Sequence, residues 1–287
     1  MVYNCAPGTT FVGGRFVLSR QLASGAYGSV FVCRDRQERK DCAIKIEYNG
    51  NTVRNEKTCY LQIGVSKYTP RLIAYSENHI RPAFLVMSYE GISFENIMKS
   101  HNWAPIPPTK LLWLAEHAIR ALRGIHKCRV VHRDVRPANF CLSLSNEKSP
   151  VLVLDFGLSS RVLIVNGIRI YEGHGQTAFD QAHFASLHVS GGNPPQEVCD
   201  LHSLGYNLLE MRRAIPWTFE ATKQQRDAKK AELTANIAAT LPKSEKFLFK
   251  ILKEIFNQTT AQNNPDYSKI LDAIKHAEGY EATYEYQ

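Results

Sequence analysis

Between residues 15 and 87 the chain alternates short runs of β-favouring residues with polar turns. Phe16, Val17 and Leu18 mark a strand predicted over 15–22, and a second covers 29–33 after a glycine-containing turn. A third, 42–47, is apolar apart from Lys45 and Glu47, and 71–75 and 83–87 read as two more. One helical stretch, 52–63, interrupts them. The period then changes. Behind the helix start of Pro107, Pro108 and Thr109, the residues Leu111, Ala115, Ala118, Leu122 and Ile125 recur at helical spacing as far as Lys127, with Arg120, Arg123 and Lys127 as the solvated face. Leu201, Leu204, Leu208 and Met211 form the apolar side of a further helix. After Trp217, Lys223, Arg226, Lys229 and Lys230 gather in a basic stretch. It reads as a solvated helix face, with docking of an acidic or phosphorylated substrate as the alternative. No internal repeat or low-complexity linker interrupts the chain.

A β-rich first part and a helical second part make an α+β chain, and 287 residues suit two lobes or two small domains. With 44% hydrophobic and 22% charged residues the sequence is that of a globular protein and not of a disordered one. A net charge of +8 favours acidic substrates, phosphate-rich ligands or nucleic acid without choosing among them. Seven cysteines without any C-x-x-C spacing argue for free thiols in a reducing compartment, and against a zinc site or a disulfide framework. Residues 1–8 lack a basic segment followed by an apolar one, and no apolar run reaches membrane-spanning length, so a cytoplasmic or nuclear protein is expected.

The candidate chemistry lies in His132, Arg133 and Asp134, with Asn139 five positions after that Asp and Asp155, Phe156 and Gly157 beyond a short apolar strand. Asp134 supplies a proton acceptor, while Asn139 and Asp155 supply oxygen ligands for hard cations; together they suit transfer of a phosphoryl group. Upstream, Leu22, Ala23, Ser24, Gly25, Gly28 and Val30 surround a glycine-bearing hairpin that joins two strands, where backbone N–H groups can approach phosphate oxygens. Lys45 either lays its stem on the sheet with its ammonium in water or turns that ammonium toward phosphates.

These segments resemble the protein kinases. Their signatures are H-R-D-x-x-x-x-N, D-F-G, the phosphate-covering G-x-G-x-x-G-x-V, here with Ala23 for the first Gly, and V-A-I-K, matched by Cys42, Ala43, Ile44 and Lys45. The stretches around His183-Phe184-Ala185-Ser186, Asp200-Leu201-His202-Ser203-Leu204-Gly205-Tyr206, Ile215-Pro216-Trp217 and Pro265-Asp266-Tyr267-Ser268 are similar to the casein kinase 1 family, with the tau-tubulin kinases comparably close. The resemblance covers about 15–277, leaving an extension at 1–14 and a short tail at 278–287. It implies a bilobal fold, with a small β-rich lobe over 15–87 and a mainly helical one over 92–277. It also implies ATP and Mg2+ in the cleft. Lys45 would hold the α- and β-phosphates with Glu56 as its partner; Ala43, Met87 and Cys141 would line the adenine pocket, where the Ser88 carbonyl and Glu90 amide meet the base. Asn139 and Asp155 would hold Mg2+, Asp134 would accept the substrate proton, and Arg136 would stand where serine/threonine kinases carry a Lys on the transferring phosphate. Asp200 would tie down the catalytic loop.

The expected partner is a protein substrate, with an acidic preference open and Ser/Thr the favoured acceptor. His183 stands where casein kinase 1 has a phosphate-binding Arg, and Gln181 where a Thr bonds the catalytic Asp, so a preference for primed sites is not carried over. A scaffold that keeps the fold without efficient transfer is the second reading, motivated by Ala23, Arg136 and Gln181. Nucleic-acid binding has only the charge in its favour. A monomer and no membrane association are expected.

Overall fold

The computed structural model describes residues 5–25, 28–47, 51–76, 82–144, 150–166, 168–172, 183–259 and 264–284. Among them, six strands form one antiparallel sheet in the order β1-β2-β3-β4-β6-β5: β1 (Thr10–Phe11), β2 (Phe16–Gly25), β3 (Gly28–Asp35), β4 (Lys40–Glu47), β5 (Leu72–Tyr75) and β6 (Ala83–Ser88). Period-2 alternation sorts the two faces of this sheet. Cys42, Ile44 and Ile46 pack with Phe16, Leu18, Phe31, Phe84 and Val86 in a core of their own. The intervening Ala43 joins Leu85 and Met87 in the main core, so Lys45, on that same face of β4, is delivered to the cleft side.

Gly28 shows why the hairpin carries a glycine. Its φ is +123°, and a Cβ there would lie 2.3 Å from the Ile46 carbonyl oxygen. The tip of that hairpin, Ala26 and Tyr27, lies outside the described residues, as does Gln181.

One helix, α1 (Asn51–Ile63), packs on the sheet, and the remaining helices make the second lobe: α2 (Phe94–Ser100), α3 (Pro108–Lys127), α4 (Leu187–Ser190), α5 (Glu197–Met211), α6 (Lys223–Ala235), α7 (Ile237–Thr240), α8 (Phe249–Phe256) and α9 (Tyr267–Lys275). Leu111, Ala115, Ala118, Leu122 and Ile125 of α3 are fully buried, as their spacing predicts. Two small sheets accompany these elements, one of two strands and one of three. β8 (Phe140–Leu142) pairs with β9 (Val151–Val153), and β10 (Ser160–Val165) pairs with both β11 (Ile168–Glu172) and β7 (Val130–Val131). None of the helices among the described residues is long and apolar enough to cross a membrane.

The basic stretch after Trp217 corrects the sequence reading. Lys223 and Lys229 are exposed, but Arg226 is 2% and Lys230 0% exposed, so α6 is not solvated on that face. The Lys230 ammonium lies 5.4 Å from the Trp217 ring centre and 5.6 Å from that of Tyr206, with Asp227 3.9 Å away. Arg226 donates to the carbonyls of Ala221 and Phe219. Aromatic faces, one carboxylate and backbone oxygens make burial of these cations tolerable, and burial pushes the Lys230 ammonium down to about 8 despite Asp227.

Candidate active site

The loop after β7 is held from α5. Asp200, 1% exposed, accepts from the backbone N–H of His132 at 2.6 Å and of Arg133 at 2.8 Å, and its Oδ2 also meets His126 Nε2 at 2.8 Å. Two turns further along the same helix, Asn207 donates to the Val135 carbonyl at 3.0 Å. Arg133 is thereby kept at a φ of +71°, a left-handed conformation unfavourable for a long side chain. The His132 ring accepts from the Asp134 N–H at 3.2 Å through Nδ1, which assigns its proton to Nε2, 2.8 Å from the Leu154 carbonyl. His132 is therefore a structural bridge between two loops.

Strand register brings the two loops together. Phe140 pairs with Val153, so Asn139 falls beside Leu154, and the Leu154 N–H donates to the Asn139 carbonyl at 2.8 Å. The Asn139 side-chain nitrogen donates to both the backbone oxygen and Oδ2 of Asp134, each at 2.8 Å. That fixes the Asp134 carboxylate and turns the amide oxygen of Asn139 into the atom available to a cation. Burial pushes the Asp134 carboxyl up; Arg136, whose Nε lies 3.8 Å from Oδ2, and His132 oppose that shift.

From the sheet, the Lys45 ammonium reaches Glu56 Oε2 at 2.8 Å and Asp155 Oδ1 at 2.6 Å. Burial works against its charge, but the carboxylates of Asp155 and Glu56 outweigh it and hold the ammonium above its ordinary value. Glu56 is pushed up by burial against the pull of Lys45, whereas Asp155 is held down despite burial by Lys45 and by the Gly157 N–H at 3.1 Å. The Lys45–Glu56 pair is the one the kinase resemblance implies, and Glu47, the acid nearer to Lys45 in sequence, instead caps the start of α1 by accepting from Thr52 and Val53.

Phe156 is fully buried between Tyr60, at a ring separation of 5.2 Å, and His132, at 5.4 Å. Asn55 of α1 lies within 3.2 Å of the Phe156 carbonyl, 3.0 Å of that of Gly157 and 2.9 Å of that of Ser159. Sequence reasoning missed Asn55, Tyr60, His126 and Tyr267, whose hydroxyl bonds His126. The available signal was positional only: Asn55 precedes Glu56, and Tyr60 follows it by one helical turn.

The residues proposed around a nucleotide fall on adjoining strands. Leu22, Ala23, Ser24 and Gly25 end β2, Gly28 and Val30 open β3 opposite them, Val30 pairs with Lys45, and Ala43 pairs with Met87. The Met87 sulfur accepts from the Tyr60 hydroxyl at 3.8 Å. β6 runs one residue past the predicted 83–87 to Ser88, which pairs with Cys42 and whose hydroxyl donates to Glu90 at 2.6 Å. Glu90 also accepts from the Leu144 N–H at 3.2 Å, so its carboxylate is committed to the loop. Cys141 lies in β8 at 1% exposure, and burial pushes its thiol well up, which makes it a small apolar side chain and not a nucleophile.

His183 is 2% exposed and stacked on Phe219 at 3.7 Å with the rings 4° apart. Burial, with Lys230 and Arg226 nearby, pushes it down to about 4, so it is neutral at physiological pH.

A sequence model of the protein kinase domain matches residues 16–276. A Caenorhabditis elegans protein named as a serine/threonine-protein kinase is 25% identical over 274 residues, covering 92% of this chain and 78% of its own. A probable casein kinase I homolog of Encephalitozoon cuniculi is 24% identical over 237 residues, 78% of this chain and 71% of that one. A probable serine/threonine-protein kinase of Dictyostelium discoideum is 24% identical over 265 residues, 90% of this chain and 52% of the relative. The matched span runs from the first residue of β2 past the end of α9 and so takes in every side chain of the cleft just described: the chain belongs to the protein kinase domain family.

Proposed function

We propose that this chain is an active protein kinase of the casein kinase 1 group that transfers the γ-phosphate of ATP to a Ser or Thr hydroxyl of a protein. The observation that carries the reading is the pairing of Lys45 with Glu56 and Asp155 while Asn139 fixes Asp134. Each charged group of the reaction is then already oriented, and positioning with charge neutralisation is most of what phosphoryl transfer asks of a protein. Lys45 would meet the phosphates, and Asp134, with its carboxyl raised toward neutrality, would take or orient the proton of the incoming hydroxyl. Arg136 would neutralise charge on the transferring group.

The donors Asp155 and Asn139 are hard oxygens, which suits Mg2+. Among the described residues no group of three or more His, Cys, Asp or Glu is arranged to hold a metal, so an ion here would draw further ligands from the nucleotide and water. When bound, Mg2+ would neutralise phosphate charge. The casein kinase 1 assignment is supported by the motifs around Phe184, Asp200, Trp217 and Tyr267, and by one relative that carries the name.

A scaffold that binds nucleotide without transferring it is the second reading. Ala23 supports it, as does the Arg136 guanidinium close to the proton acceptor it would need to leave free. Purified protein with labelled ATP, Mg2+ and casein, run beside Asp134→Asn, decides between them. Label on casein with the natural chain and a loss of about a hundredfold or more in the variant are expected for general-base or orienting loss. Thermal stabilisation by Mg-ATP with no label transferred would instead favour the scaffold.

A further inference from the structure

Beside the catalytic loop lies a cavity of about 310 Å³ whose apolar walls are Met98, Trp103, Pro137, Phe184 and Phe219. It opens next to Arg136, two residues from Asp134, so whatever enters it sits close to the proposed proton acceptor. Its charges cancel. Glu210, 5% exposed, accepts from Arg213 at 3.0 Å, and Glu95, paired with Lys99 at 3.1 Å, and Arg136 complete a lining of two carboxylates and two guanidiniums. Besides the lining Arg136 and Arg213, three further basic side chains of this neighbourhood lie behind its wall: Arg226 is buried against the Phe219 and Ala221 carbonyls, Lys230 under Trp217, and His183 is covered by the Phe219 ring. Both ring nitrogens of His183 lack a hydrogen-bond partner among the described residues, as suits a neutral imidazole serving as a stacking surface. A phosphate or carboxylate placed here would meet the carboxylates of Glu95 and Glu210 as well as Arg136 and Arg213, and so gains no net counter-charge for its desolvation.

We propose that this cavity is a specificity pocket of the kinase and receives a large apolar side chain of an unphosphorylated polypeptide substrate, a few residues from the acceptor hydroxyl. The inference rests on the kinase reading for its turnover test, but not for its binding test. Phe219 and Trp103 are the specificity-determining residues, because both are largely exposed, at 58% and 43%, and have apolar surface still to cover. The partner is a polypeptide because the cavity is continuous with the catalytic loop, where an acceptor hydroxyl must arrive.

A positional peptide array with a fixed Ser tests this. Phe, Leu or Met at one flanking position should raise kcat/KM about tenfold or more over Ala, the gain from burying a side chain of that size. Phe219→Ala and Trp103→Ala should each collapse that ratio, and Phe219→Leu should retain most of it. In parallel, fluorescence polarisation with the same peptides carrying Ala for the acceptor Ser should show the same selectivity in binding and the same loss in the variants. Equal use of apolar and Ala peptides in both measurements, or selection of Asp, phosphoserine or Arg instead, overturns the proposal. If neither casein nor any peptide is phosphorylated, the kinase reading falls while the polarisation series still decides the pocket.

Discussion

Asp200 offers the sharpest test of how the catalytic loop is held. Its carboxylate accepts from two backbone N–H groups and one imidazole at 2.6, 2.8 and 2.8 Å, and almost none of it is exposed. In Asp200→Ala, two buried amides lose a charged acceptor, and each orphaned donor costs about 1–3 kcal/mol. The His126 ring loses a partner as well, but keeps the Tyr267 hydroxyl, so its share is smaller. The total comes to about 3–6 kcal/mol, a large part of the roughly 5–15 kcal/mol that holds a protein of ordinary stability folded. Asp200→Asn keeps one acceptor oxygen and presents an NH2 group to the other donors, so about half that cost is expected. Urea unfolding of the three proteins, with the slope held common, gives these numbers directly. The left-handed Arg133 should relax when its restraint goes, and turnover should fall further than nucleotide affinity. A cost under about 1 kcal/mol for Asp200→Ala would refute the idea that this side chain, and not the surrounding core, holds the loop.

Lys45→Met leaves Glu56 and Asp155 facing each other without a cation and should cost about 2–4 kcal/mol, lessened because Asp155 is partly exposed. The double variant Lys45→Met, Glu56→Gln should recover part of this, read as a positive coupling in a denaturation cycle. Gly157→Ala places a Cβ 3.0 Å from both the Thr52 Cβ and Asp155 Oδ1, and should lower the melting temperature by several degrees, measured by differential scanning fluorimetry. His183 and His202, both pushed down to about 4 by burial, bind protons near 6.5 only when the chain unfolds, so the stability they contribute is intact above that pH and lost as pH falls toward 4. Glu56, Asp134 and Glu210, raised by burial, act in the opposite sense, so the His term is isolated by comparing the chain with His183→Phe, whose stability should fall less steeply between those pH values by up to about 3 kcal/mol.

The side chains proposed for phosphoryl transfer were legible because their chemistry restricts residue type. Lys45, Asp134, Asn139 and Asp155 stand where spacing along the chain predicts, and the β4 pleat alone decides which way Lys45 points. The Glu56 partnership was implied by the kinase resemblance, and the 2.8 Å pair with Lys45 is present. What escaped were contacts that depend on tertiary approach. Asn55 is unremarkable in sequence and meaningful only once α1 lies against three carbonyls. Arg226 and Lys230 misled for a physical reason. They occupy the inward side of α6 together with Leu233, at helical spacing, but their type proclaims solvent, and only the aromatic shelter of Tyr206 and Trp217 for Lys230 and the Ala221 and Phe219 carbonyls for Arg226 make them interior residues. The hairpin of β10 and β11 was likewise not foreseen, because its outward Ile164, Val165 and Ile168 follow no alternation with a buried face.

The aromatic run from Tyr60 through Phe156 to His132 has a mechanical consequence. α1 belongs to the sheet in sequence, yet it leans on a ring from one loop, which leans on a ring from another, while His132 clasps the Leu154 carbonyl. A hinge between the lobes cannot swing α1 outward and leave Phe156 where it is without opening a void the size of a phenyl group. Amide protons in α1, in the Phe156 loop and next to His132 should therefore exchange with solvent in a single cooperative event, at a common free energy, while the outer strands β1 and β5 fray independently.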